Sequence, residues 1–280
     1  MKLLRYGPIG QELPGILDST GNFRALRPIV RDIDATVLSP EGLRFLGALD
    51  VSKLPLVSNP GRLGSPIGAV REIIAIGLNY REHAKESGLP IPAEPVVFGK
   101  STSSISGPDD DILLPPGSEK TDWEIELGIV IGAVARRVTK QVARQYVAGY
   151  CMVNDVSERA WQIERAGQWG KGKSFDTFTP VGPWLVTGDE LDPNALDLNL
   201  QVNGQICQQG NTSDLIFDVD IVVSYVSQFM TLMPGDLIIT GTPAGVGLGM
   251  KPPRFLADGD VIDMSVSGLG TQRHAVIKAV

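Results

Sequence analysis

The segment Asp122-Trp-Glu-Ile-Glu-Leu-Gly-Ile-Val-Ile131 constrains this chain more than any other. Acids and apolar residues alternate there with period two, the repeat of a strand rather than a helix. Asp122, Glu124 and Glu126 then share one face, and Trp123, Ile125, Leu127 and Ile129 share the other. Residues two apart along a strand are spaced by about 6.5–7 Å, so their carboxylates can converge on one point. In apolar surroundings such carboxylates repel each other and lose hydration. A hard divalent cation removes both penalties, and oxygen ligands are those Mg2+ or Mn2+ prefers. An isolated E-x-E pair fits a solvated acidic face better than a metal site. The third acid shifts that balance: Asp155 follows the apolar run Gly149–Val153, at the end of a second expected strand. The expected metal ligands are therefore Glu124, Glu126 and Asp155. Neither histidine is close to them in sequence, and no cysteine spacing suggests zinc.

The rest of the chain reads as strand-rich. Gly (32) and Pro (20) are numerous and dispersed through 280 residues, as many tight turns require. Expected strands are Lys2–Tyr6, Gly15–Leu17, Glu72–Ile76, Val96–Gly99, Ile112–Leu114, Leu237–Thr240, Val261–Val266 and His274–Ile277. Leu198–Val202 and Gln205–Gln208 flank Asn203-Gly204, a strong hairpin signal. Helices are expected over Pro40–Leu49 with Ser39 as N-cap, Asn79–Ser87, Lys140–Tyr146, Ser157–Ala166 and Asp218–Met230. Pro55–Gly68 reads as a linker. The expectation is an α+β, mostly β protein with a small N-terminal domain (1–65) and a main domain (70–280), without regular βαβ alternation.

The net charge of −7 and the lack of any basic block argue against nucleic acid. No apolar run approaches the roughly 18 residues that span a bilayer, so no membrane partner is expected. The opening MKLLRYGPIGQELPG reaches Gly and Pro too soon for a signal-peptide core, which makes the cytoplasm the expected compartment. Of the two cysteines, Cys151 lies in an apolar run and reads as a small buried hydrophobe. Gly167-Gln-Trp-Gly-Lys-Gly-Lys173-Ser174 matches a P-loop pattern, but a polar helical segment precedes it and no helix follows it, so nucleotide binding is rejected.

Four ordered motifs give these residues a family context. They are Asp122–Leu127, Asn154-Asp-Val-Ser-Glu-Arg159, Gly172-Lys-Ser-Phe-Asp-Thr177 and Thr240-Gly-Thr-Pro-Ala-Gly-Val-Gly247, joined by Gly77-Leu-Asn-Tyr80. Over residues 70–280 the chain resembles the fumarylacetoacetate hydrolase family. The resemblance implies a mixed β-sandwich roll with short helices, usually as a homodimer. It implies Mg2+ or Mn2+ on Glu124, Glu126 and Asp155, with Lys173 near the metal and Thr177 beside it. It further implies that Gln162 contacts substrate and that Thr242 grips a substrate carboxylate. Relatives often carry Pro where Ser101 follows Lys100, so Lys100 is given no catalytic role.

His83 and Glu86 sit at i, i+3 in a short helical pattern. Spacing alone favours a solvent-facing pair; the family resemblance instead implies a His–Glu dyad over the metal. His274, in a C-terminal strand pattern, reads as a surface residue. The activity implied is hydrolysis of a 2,4-dioxo acid to pyruvate and a carboxylic acid such as lactate. His83, oriented by Glu86, would activate the water, and Lys173 with the metal would stabilise the pyruvate enolate. MKLLRYGP and Lys251-Pro-Pro-Arg-Phe-Leu256 resemble the 2,4-diketo-3-deoxy-L-fuconate and L-rhamnonate hydrolases, a subgroup also labelled ureidoglycolate lyase. Oxaloacetate decarboxylation, isomerisation of a hydroxylated dienedioate and a non-catalytic binding module stand as alternatives.

Overall fold

The computed structural model of the protein describes residues 1–279. Its organising element is the carboxylate strand, Ile125–Ile131, in which every residue is buried. It pairs antiparallel with a return strand, Val147–Asn154, on one side and with Leu237–Ile239 on the other. From there the main sheet extends in both directions. Thr179–Thr187 and Lys2–Tyr6 follow the return strand, while Ile73–Gly77 and Val96–Lys100 follow Leu237–Ile239. The Leu237–Ile239 and Ile73–Gly77 pairing is parallel, so this eleven-stranded sheet is mixed.

The alternation in the carboxylate strand has a direct structural consequence. Trp123, Ile125, Leu127, Ile129 and Ile131 all enter one apolar core, between the main sheet and a second sheet of five strands. Leu198, Leu200, Ile262, Met264 and Val276 of the second sheet face them. So do Val219, Val222, Val223 and Val226 of the helix Val219–Phe229, spaced as one helical face. The opposite face of the strand carries Glu124 and Glu126 near one end and Val130 near the other. Val130 packs into a second core with Leu26, Ile33, Leu38 and Leu46. Both faces of the sheet are thus covered, which explains why its strands read as nearly continuous apolar runs. The fold is α+β and mostly β.

Local signals behave as their chemistry requires. Ser39 Oγ accepts the Gly42 N–H at 3.0 Å, and Asp218 accepts the Ile221 N–H at 2.8 Å, each capping the helix that follows. Asn203 and Gly204 have φ of +53° and +75°, as a primed two-residue hairpin turn demands. No helix among the described residues is long and apolar enough to cross a membrane.

Three findings depart from the sequence reading. The boundary expected near residue 65 does not interrupt the sheet: Lys2 and Leu3 pair with Val186 and Leu185, and Leu3 is fully buried in the second core. Thr179–Thr187 is a nine-residue interior strand in a segment where no strand was expected. His274 is fully buried rather than at the surface. The strand Gly270–Lys278 alternates in burial, and His274 falls on its inward face with Gln272 and Val276. Its Nδ1 lies 2.7 Å from the Asp110 carbonyl oxygen and its Nε2 3.0 Å from Gln272 Oε1. Burial holds the imidazole pKa below its ordinary value. Cys151, as expected, is buried, and burial pushes its thiol up to about 12.

Because the N-terminal strand belongs to the main sheet, Leu3→Ala is expected to cost about 2–5 kcal/mol, as buried Leu→Ala changes do. Chemical denaturation followed by tryptophan fluorescence should show one shifted cooperative transition. An early transition that leaves the main sheet intact would mean that residues 1–65 fold independently.

Candidate metal centre and active site

Strand register explains how acids distant in sequence meet. Ile125 pairs with Asn154 and Glu126 with Val153. Glu124 and Asp155 therefore sit just beyond the last pair, facing each other. The Asp155 N–H donates to the Glu124 carbonyl at 2.8 Å, and the Glu124 N–H donates to Asn154 Oδ1 at 3.0 Å. Glu124, Glu126 and Asp155 each bring a carboxylate oxygen within 4.8 Å of the others, and all three are at most 4% exposed.

Cations surround this cluster unevenly. Lys173 Nζ donates to Glu124 at 2.6 Å and to Asp155 at 2.5 Å. Arg159 Nη2 lies 2.7 Å from both Glu124 and Asp122. Lys100, given no role from sequence, donates to Asp155 and, at 2.7 Å, to the Phe178 carbonyl. Lys100 and Arg159 are the residues that sequence reading missed. Arg159 had a readable signal, since it closes the motif that begins at Asn154. Lys100 had only its position after the apolar run Val96–Gly99.

The carboxylates respond differently to these neighbours. Burial opposes ionisation of Glu124, but Lys173 and Arg159 outweigh it and hold the group below the usual carboxylate range. Glu126 goes the other way: burial, then the charges of Asp155 and Glu124, push it well above that range. Among the described residues Glu126 makes no ion pair, and its hydrogen-bond donor is the Gly241 N–H, at 2.8 Å. Burial disfavours the charged form of Lys173, yet Asp155 and Glu124 raise its pKa and keep it an ammonium. A buried carboxylate beside two others and lacking its own cation fits a divalent ion, whose charge is the missing partner. Three hard oxygen donors suit Mg2+ or Mn2+.

The cavity around the triad also holds His83, Glu86, Gln162 and Thr242. His83 Nδ1 lies 3.2 Å from Glu86 Oε2, and the imidazole is largely buried rather than facing solvent. Gln162 accepts from Arg159 at 3.0 Å through its amide oxygen. The Thr242 hydroxyl donates to the Ile125 carbonyl and accepts from Gln208, both at 2.8 Å.

Thr177 is the one expected site residue that the structure does not bring here. Its hydroxyl accepts the Leu113 N–H at 2.8 Å, and it lines a separate recess with Arg62 and Asp110. Its φ of +65° turns the chain between Lys173 and the strand Thr179–Thr187.

The Gly-rich loop after Thr240 serves the protein's own acids. Gly241 N–H donates to Glu126 and Gly245 N–H to Glu86 at 3.0 Å. Gly247 and Leu248 N–H groups donate to Asp122 at 2.7 and 3.0 Å. Gly249 leaves room for Glu86, because a Cβ there would lie 2.3 Å from the Glu86 carboxyl carbon. The P-loop-like segment contributes Lys173, at the end of the short helix Gly170–Lys173, and Trp169, just before it.

The mixed, β-rich fold thus carries a buried Glu–Glu–Asp cluster able to hold a divalent metal, with a His–Glu pair lining the same cavity. Residues 72–277 match the family model for the fumarylacetoacetate (FAA) hydrolase C-terminal region, and the chain belongs to the fumarylacetoacetate hydrolase family. A Burkholderia lata protein named, provisionally, a hydrolase is 58% identical over 274 residues, 97% of each chain. The fumarylacetoacetate hydrolase from Exiguobacterium antarcticum is 37% identical, with a TM-score of 0.89 over the whole of both chains. Maleylpyruvate hydrolase from Sphingobium sp. SYK-6, solved with manganese(II) and pyruvate, is 29% identical, with a TM-score of 0.82 over the whole of both chains.

Glu126→Gln provides a test with a defined sign. In metal-free wild-type protein the raised Glu126 pKa means that the contribution of Glu126 to stability is fully present below about pH 4.5, the ordinary glutamate value, and is lost as pH rises through the raised one. Glu126→Gln should flatten that fall and leave the metal-free protein at least as stable near neutral pH. It should also abolish most of the melting-temperature rise that Mn2+ gives the wild type. Equal Mn2+ stabilisation of both proteins would remove Glu126 from the metal site.

Proposed function

We propose that this protein hydrolyses the C3–C4 bond of an acylpyruvate, giving pyruvate and a carboxylic acid, with Mg2+ or Mn2+ held by Glu124, Glu126 and Asp155. The observation that carries the reading is the buried, cation-less Glu126 sharing a cavity with the His83–Glu86 pair. The Sphingobium relative, crystallised with manganese and pyruvate, supports it. When bound, the divalent ion supplies Lewis-acid stabilisation of negative charge developing on a 2-oxo group.

The chain's own groups do the rest. Glu86 faces Nδ1 of His83 and orients the ring, which leaves Nε2 as the base. His83 takes a proton from water as the water oxygen attacks the C4 carbonyl carbon. The C3–C4 bond then breaks, and its electron pair becomes the enolate of pyruvate. The Lys173 ammonium faces the developing enolate charge. Gln162, whose amide oxygen is held by Arg159, keeps its NH2 as a donor to substrate. Thr242 lines the carboxylate end of the cavity. Proton return to C3 completes pyruvate.

Within this class we favour a 2,4-diketo-3-deoxy sugar acid with a lactyl acyl group, on the resemblance of the N-terminal and Lys251–Leu256 segments. Decarboxylation of oxaloacetate and isomerisation of a dienedioate use a similar enolate but need no activated water. The His–Glu pair favours hydrolysis over both.

His83→Ala is expected to lower kcat by about 10²–10⁴, the usual contribution of a general base, with Mn2+ affinity within about threefold of wild type. In 18O-water the label should enter the carboxylic acid product. Equal loss of turnover and metal binding, or CO2 release without label, would contradict the proposal.

A further inference from the structure

The cavity of about 450 Å³ is lined by two chemically different sets of side chains. One set is the carboxylates with Lys173, Arg159, Gln162 and His83, linked by ion pairs and hydrogen bonds. The remaining wall includes Leu78, Leu89, Phe98, Ile163, Trp169 and Leu248. Three of these are large apolar side chains left open to solvent: Leu89 is 47% exposed, Ile163 52% and Leu248 39%. Trp169 packs edge-on against Phe98, with ring centroids 5.3 Å apart. It also lies over Gly77, where a Cβ would come within 2.5 Å of the indole. This wall is therefore built of fitted aromatic rings and ends in hydrocarbon at the surface.

Among the described residues Arg159 and Lys173 are the Lys or Arg side chains that line the cavity, and both are held by site carboxylates. Lys173 Nζ lies 5.4 Å from the centroid of the Phe98 ring but is already paired with Glu124 and Asp155, and among the described residues no Lys or Arg beyond these two lines the apolar wall. A carboxylate seated there would lose hydration without gaining a counter-ion, a cost that hydrocarbon does not incur.

We infer that the substrate is a monocarboxylic 2,4-dioxo acid whose acyl group is uncharged and held as hydrocarbon by the wall of Leu89, Ile163, Trp169 and Leu248. This rests on the acylpyruvate reading and narrows it. Dicarboxylic acylpyruvates are discriminated against. Lactyl falls at the small end of the accepted class, and longer alkyl groups gain from the wall by up to about fourfold in kcat/KM per added methylene.

The test uses the Mn2+-loaded full chain and follows pyruvate release. Two substrates of matched shape are compared: 4-methylpentanoylpyruvate, ending in an isopropyl group, and succinylpyruvate, ending in a carboxylate. Acetylpyruvate and lactylpyruvate complete the panel. We expect kcat/KM for the isopropyl compound to exceed that for succinylpyruvate at least tenfold. Placing a cation in the wall by Ile163→Arg should move this ratio at least tenfold toward succinylpyruvate. Equal or better use of succinylpyruvate by the wild type, or an unmoved ratio in the variant, overturns the inference while leaving acylpyruvate hydrolysis standing. No pyruvate from any of the four compounds overturns both.

Discussion

The structure depends on how buried negative charge is balanced where the carboxylate strand ends. Asp122, Glu124, Glu126 and Asp155 are each at most 4% exposed, a concentration of acid that a β-rich core does not tolerate unpaired. Arg159 bridges Asp122 and Glu124, Lys173 bridges Glu124 and Asp155, and Lys100 reaches Asp155. Backbone N–H groups of the Gly-rich loop hold Asp122 and Glu126. Among the described residues Glu126 is the acid of this set left without a cation, and that imbalance fits the cluster to a divalent ion. The same loop holds Glu86 against His83, so the His–Glu pair and the acidic cluster share one scaffold.

A single strand joins this chemistry to the stability of the fold. One face of it is hydrocarbon throughout and enters the core between the two sheets. The other face changes character along its length, from Glu124 and Glu126 to Val130, where the N-terminal segment packs. Glu126 stands on a strand paired with Val147–Asn154, and Glu124 and Asp155 face each other just past the end of that pairing, which suits a site that must hold ligand geometry closely. The residues proposed to act on substrate lie on shorter elements around it: His83 and Glu86 on a six-residue helix, Gln162 on a five-residue one and Lys173 on a four-residue one.

What the sequence made legible follows the same division. The carboxylate strand could be read because alternation is a one-dimensional signal, and its register needed only the apolar run ending at Asp155. Capping at Ser39 and Asp218 and the Asn203-Gly204 turn were legible because each is decided within a few residues. Thr179–Thr187 was not, because Pro180, Gly182 and Pro183 argue against an interior strand. The ion pairs of Lys100 and Arg159 depend on side chains meeting across 55 and 37 positions, so the motif that contains Arg159 marks the residue but not its partners. His274 misled because a polar residue in an alternating strand reads as outward. Its inward place depends on acceptors at Asp110 and Gln272. Thr177 was carried over from a motif that is matched in sequence, yet its backbone turns its hydroxyl toward Leu113.

Whether the triad holds a divalent ion is decided by anomalous diffraction from crystals of the protein grown with Mn2+. One strong peak is expected about 2.0–2.2 Å from carboxylate oxygens of Glu124, Glu126 and Asp155, the spacing of small divalent ions on oxygen ligands. Lys173 should remain beside it as an ammonium. A triad bridged only by lysine at saturating Mn2+, or a peak at other acids with this cluster unchanged, would contradict divalent-ion binding by the triad.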